Sequence, residues 1–129
     1  MKGDDLAERL MRFAVLVIRL TQALPKGLVG RHIAGQLIRA GTSVGANHEE
    51  ARGAESRADF IHKLGVACKE LRESSYWLLL IHHAELVKPV LLDGLIQEAT
   101  ERKAHVARSL KTARENARAG EKDTTDAAG

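Results

Sequence analysis

The stretch RAGTSVGANHEEAR, residues 39–52, decides how this chain is read. Gly41, Ser43, Gly45 and Asn47 are weak helix formers, yet an apolar pattern runs through them without a proline or a turn cluster. Gly41 and Gly45 lie four residues apart, on one face of a helix. Each glycine lowers helix propensity by about 1 kcal/mol relative to alanine. Local stability is given up so that another backbone can come close. The partner expected from the sequence is the segment from Phe60 to Leu80. Arg39, Ser43, Asn47 and Glu50 repeat along nearly the same face. A polar stripe at a packed seam implies a hydrogen-bonded network, because unpaired buried polar groups are costly.

Working outward, 129 residues suit one domain with a single core. Two prolines, two Phe, one Tyr and one Trp amid abundant Ala, Leu, Glu, Lys and Arg point to an all-helical protein. The net charge of +3 permits an anionic partner without demanding one. The one cysteine, Cys68, excludes an internal disulfide and a multi-cysteine zinc site. It sits where a small buried hydrophobe fits better than a nucleophile. The apolar run from Phe13 to Ile18 is too short to span a membrane, and Asp4 and Asp5 spoil a secretory leader. A cytoplasmic protein is expected.

The fold expected is all-α: an up-down-up-down antiparallel four-helix bundle over residues 1–118, followed by a disordered tail over 119–129. Helices are placed at about 4–24, 27–53, 57–87 and 90–118 from apolar periodicity and helix stops. In the first, Leu6, Leu10, Phe13, Val17, Leu20 and Leu24 make one apolar face and Met11, Val15 and Ile18 a second. A helix apolar on two faces needs two partners: its own bundle, and another subunit. Ser56 followed by Asp59 reads as a helix cap. A turn near Glu55 gives facing residues on helices two and three numbers that sum to about 110. Asn47 then lies near Lys63 and Ser43 near Ala67. Arg39 comes within reach of Glu70 or Glu73, and an ion pair is expected there.

Catalytic chemistry finds little support. A di-iron bundle needs two Glu-x-x-His pairs, and the chain has none. His82 and His83 diverge around a helix, while His48 and His105 read as surface residues or ion-pair partners. No metal and no cofactor is expected, and no enzyme. Basic residues offer more. From Glu101 to Arg118 six Lys or Arg stand against two Glu. Arg108, Lys111, Arg114 and Arg118 decorate helix four, while Arg52, Arg57 and Lys63 gather near the turn between helices two and three. Such cations can track phosphates. Phe13 and Phe60 lie on core seams, and Tyr76 and Trp77 read as packing, so base stacking is not expected.

Residues 39–80 resemble a known family, the four-helix-bundle proteins encoded within intervening sequences of bacterial 23S ribosomal RNA genes. The matching text is Arg39, GTSVGANHEEA (41–51), Ser56, Asp59-Phe60-Ile61, Lys63-Leu64, then ACKELRE (67–73) and Tyr76-Trp77-Leu78. The resemblance implies a bundle that assembles as a ring-like homo-oligomer, with pentamers expected. A related branch, the accessory variability determinants of diversity-generating retroelements, is similar in fold and pairs with a reverse transcriptase and nucleic acid. Arg39, Ser43, Asn47, Glu50, Glu70, Glu73 and Trp77 form the structural signature under this resemblance. It supplies no catalytic residue. The function expected is a non-enzymatic oligomer that binds RNA or a ribonucleoprotein through phosphate electrostatics. The alternatives are a protein-protein scaffold and, third, a metal or small-molecule bundle.

Overall fold

The computed structural model describes the backbone of residues 2–128 and the side chains of residues 5–121. Four helices follow one another: α1 (Lys2–Ala23), α2 (Leu28–Arg52), α3 (Arg57–His83) and α4 (Pro89–Ala128). No strand occurs among the described residues. Each helix packs against the next, and α4 closes the bundle against α1, where the packing is thinnest. One core runs the length of the bundle. Leu10, Phe13 and Val17 meet Leu37 and Val44, with Leu64, Leu71, Leu78, Leu92 and Val106 completing it. These positions recur at helical spacing, so each helix lays one stripe inward.

The helix ends have local causes. Ser56 accepts a hydrogen bond from the Asp59 backbone N–H at 3.0 Å, and so caps α3 as expected. At the other end α3 stops at His83, short of the expected 87. Glu85 takes a positive φ of 53°, its N–H reaches the His82 carbonyl, and that of Leu86 reaches Ile81. This paired closure satisfies carbonyls that the ended helix leaves free. Leu86 then packs onto the core. The turn between α1 and α2 is tight for another reason. A Cβ at Gly30 would lie 1.7 Å from the Pro25 carbonyl oxygen, so only glycine lets the loop fold over α2.

The tail expected to be disordered from residue 119 instead continues α4 through Ala128; Gly129 lies outside the described residues. Core burial ends at Leu110. Beyond it Ala, Glu, Lys and Arg are frequent and proline is absent, which lets helix propensity carry the backbone on.

The small residues of α2 face a different neighbour from the one expected. A Cβ on Gly41 would sit 2.9 Å from both γ-carbons of Val17, and one on Gly45 would lie 3.6 Å from the Leu10 Cβ. Both belong to α1, so the close approach is between α1 and α2. The polar stripe lies at the rim of the α2–α3 seam, and only part of it crosses. Arg39 pairs with Glu70 at 3.2 Å and also bonds Glu73, which accepts a further bond from the Trp77 indole at 3.1 Å. Lys63 reaches Glu50 at 2.9 Å. Ser43 and Asn47 instead bond back to the carbonyls of Arg39 and Ser43 on their own helix. Half-exposed hydroxyl and amide groups satisfy themselves locally when a carbonyl four residues back is nearer than a partner helix.

A clamp that the sequence did not disclose ties α1 to α4. Arg9 donates to both oxygens of Glu98, at 3.0 and 2.7 Å, and Arg102 lies 3.3 Å from the same carboxylate. The Arg9 hydrogen bond holds the Glu98 carboxyl below its ordinary range, against the opposing effect of burial.

Candidate nucleic-acid interface

The end of the bundle where α2 stops and α3 starts gathers the expected cations unevenly. Arg52 closes α2 and lies 2.9 Å from Glu49. Arg57 opens α3 and donates to the Asn116 backbone carbonyl on α4 at 3.0 Å, fixing the far half of α4 to this end. Lys63 is committed to Glu50, whose bond raises the affinity of its ammonium for the proton. On α4, Arg108, Lys111, Arg114 and Arg118 are all exposed. Arg114 lies near enough to Cys68 to act on its thiol, which burial nevertheless pushes up. The cations thus divide. Arg52 and Arg108 line one cleft, Lys111, Arg114 and Arg118 continue along α4, and Lys63 belongs to the α2–α3 rim.

The cleft has a volume of about 750 Å³ and opens between the last turns of α2, the start of α3 and the middle of α4. Among the described residues α1 contributes only Leu6 to it. Phe60 and Leu64, which belong to or pack against the core, line the cleft together with His48, Arg52, His105 and Arg108. His48 was expected at the surface but is only 6% exposed, and its Nδ1 has no hydrogen-bond partner. The signal was present in the sequence: His48 follows Val44 by four residues and precedes Ala51 by three, on the core stripe. His105 is half-buried and meets the Arg102 guanidinium at 3.2 Å.

Both imidazoles are held below their ordinary titration range. For His48 burial is the main cause, aided by Arg52 and His105 and opposed by Glu49. For His105 burial leads, followed by the charges of Arg102, Arg108 and Arg9, with Asp5 opposing. A depressed folded value means that the unfolded chain takes up protons first. Stability is therefore complete above about pH 6.5 and falls as the pH drops below it. The Glu98 clamp has the same sign and is lost at lower pH, below about pH 4. Urea melts from pH 8 to pH 3 are expected to show two stages of loss. His48→Gln removes part of the first and Glu98→Gln the second; a flat profile between pH 7 and 5 contradicts the lowered titration of the two imidazoles.

Two further surfaces bear on function. Met11, Val15 and Ile18 on α1 are 66%, 38% and 40% exposed, as the two-faced pattern of that helix implied. Tyr76 is 58% exposed, contrary to the packing role expected, and sets its ring edge-on to Trp77. Among the described residues no three His, Cys, Asp or Glu side chains converge as a metal site, and no helix is long and apolar enough to cross a membrane.

The family model for 23S rRNA-intervening sequence proteins matches residues 5–111, which spans α1 to α3 and the buried part of α4. The chain belongs to this family. A solved structure shares the fold at a TM-score of 0.74 and 35% identity, covering 86% of this chain and 99% of the other. It is a protein of unknown function from the S23 ribosomal protein family of Bacteroides thetaiotaomicron. No curated protein matches the chain. The family match takes in Arg52, Arg57, Lys63, Arg108 and Lys111, and stops before Arg114 and Arg118.

Proposed function

We propose that this intervening-sequence protein is a non-enzymatic, ring-forming homo-oligomer that binds RNA, alone or within a ribonucleoprotein, through phosphate electrostatics. The observation that carries the reading is the run of exposed cations on α4, Arg108, Lys111, Arg114 and Arg118, continuous with the Arg52–Arg108 cleft. Cations on one helix face neutralise successive phosphates without needing to touch the bases. A pentamer is the assembly that the family resemblance suggests, and it acts in the cytoplasm under this reading.

Self-association is supported by α1. Its outward Met11, Val15 and Ile18 are apolar residues that the bundle leaves in water, with Ile38 of α2 exposed to 38% beside that helix pair. A stripe of this kind is best covered by a second copy. Val15→Glu with Ile18→Glu is expected to convert the oligomer to monomer while preserving the helical circular-dichroism signal, since neither side chain is in the core. Light scattering on wild type and variant reads this directly. An unchanged mass in the variant puts the interface elsewhere. The scaffold reading, in which a second polypeptide is the partner, is favoured by exposed Tyr76 and Leu79 on α3. No RNA binding at low salt, with a polypeptide partner whose binding is lost in Tyr76→Ala, would point to that surface instead of α4.

A further inference from the structure

The cleft at the end of the bundle is built differently from the open cationic face of α4. Its two guanidiniums come from different helices, Arg52 from α2 and Arg108 from α4, and Phe60 of α3 lines the same cleft. His48 lines it while nine-tenths buried, with an imidazole nitrogen that no protein group satisfies. A buried polar atom without a partner is costly, and a water or a ligand reaching it is one way in which that cost is met. Neutral imidazoles each offer one donor and one acceptor. Two cations, an aromatic ring and imidazole donors and acceptors lining one cleft match the chemistry of a phosphate attached to a flat, hydrogen-bonding ring.

We propose that this cleft receives one unpaired nucleotide of an RNA strand, its base against Phe60 and its phosphate between Arg52 and Arg108. The inference rests on the RNA-binding reading above. It adds to that reading a defined pocket for a single base. Lys111 lies three residues beyond Arg108 and is exposed, so the strand leaving the cleft runs onto the cationic face of α4. The apolar stripe of α1 does not line the cleft, so the cleft and the self-association surface are separate.

The test uses the full chain with isotope-labelled histidine. An unstructured RNA of ten nucleotides, a nucleoside 5′-monophosphate and inorganic phosphate are each titrated in. The His48 and His105 imidazole resonances are followed by NMR, and RNA affinity by fluorescence anisotropy. RNA and mononucleotide are expected to shift both imidazoles, and phosphate alone far less. Phe60→Leu and Arg108→Gln are expected to weaken RNA binding roughly tenfold, in line with the removal of one stacked base or one neutralised phosphate. Arg108 is exposed, so its variant keeps the fold. RNA that binds as tightly to both variants and leaves the imidazoles unmoved overturns the cleft while the α4 reading stands. Mononucleotide binding without RNA binding overturns the strand as occupant. Equal shifts from phosphate and mononucleotide overturn the base platform. No binding by RNA or mononucleotide at low salt overturns the cleft and the RNA reading together.

Discussion

Gly41→Leu lowers the stability of the bundle by about 3 kcal/mol, roughly 10 °C in melting temperature for a domain of this size. The cause is local. Even a methyl at Gly41 would sit 2.9 Å from both γ-carbons of Val17, a fully buried residue of α1. Valine in a helix is held to one strongly preferred rotamer, so it cannot swing aside. A leucine extends the collision into the seam between α1 and α2 and forces the helices apart. The control is Gly45→Ala. There the added methyl would lie 3.6 Å from the Leu10 Cβ, an ordinary van der Waals separation. The gain in helix propensity, about 1 kcal/mol, then leaves that variant as stable as wild type or more so. Thermal and urea melts of the two variants separate them. If Gly41→Leu melts with wild type, the helices do not approach as closely as the structure has them. Adding Val17→Ala is expected to recover part of the loss.

Charge reversal of Arg108, Lys111 and Arg114 to glutamate produces the largest functional effect. RNA affinity falls at least about a hundredfold near 0.1 M salt, because three neutralising cations become three repulsive anions. The dependence of log affinity on log salt becomes shallower by roughly two units, about 0.7 for each single-strand phosphate no longer neutralised. Oligomer mass and helix content stay unchanged, since all three side chains are exposed. Anisotropy across a salt series, with light scattering on the same samples, reads both quantities. A variant that binds as wild type does moves the RNA interface off α4.

The bundle itself was legible because apolar spacing dictates which stripe faces inward. Leu6, Leu10, Phe13, Val17, Leu20 and Leu24 were readable in this way, and all are buried. Antiparallel register was legible from the short turn, which placed Arg39 against Glu70 and Glu73. What stayed hidden depended on direction. Gly41 and Gly45 signalled a close approach without saying to which helix, and the neighbour was α1. The Arg9–Glu98 clamp joins residues 89 positions apart, beyond any local periodicity. His48 was misread because histidine is more often a surface residue than a core one, although its spacing put it on the buried stripe. The cleft could not be seen at all. It forms only where four helices with different end points meet, and no single segment encodes that meeting.

The most direct test of RNA binding through α4 is the affinity of nuclease-treated wild-type protein for a single-stranded RNA, followed from 50 to about 300 mM salt. Binding that weakens steeply, with a log–log slope of at least two to three, is the predicted result and corresponds to three or more neutralised phosphates. No binding at the lowest salt, or an affinity indifferent to salt, contradicts it.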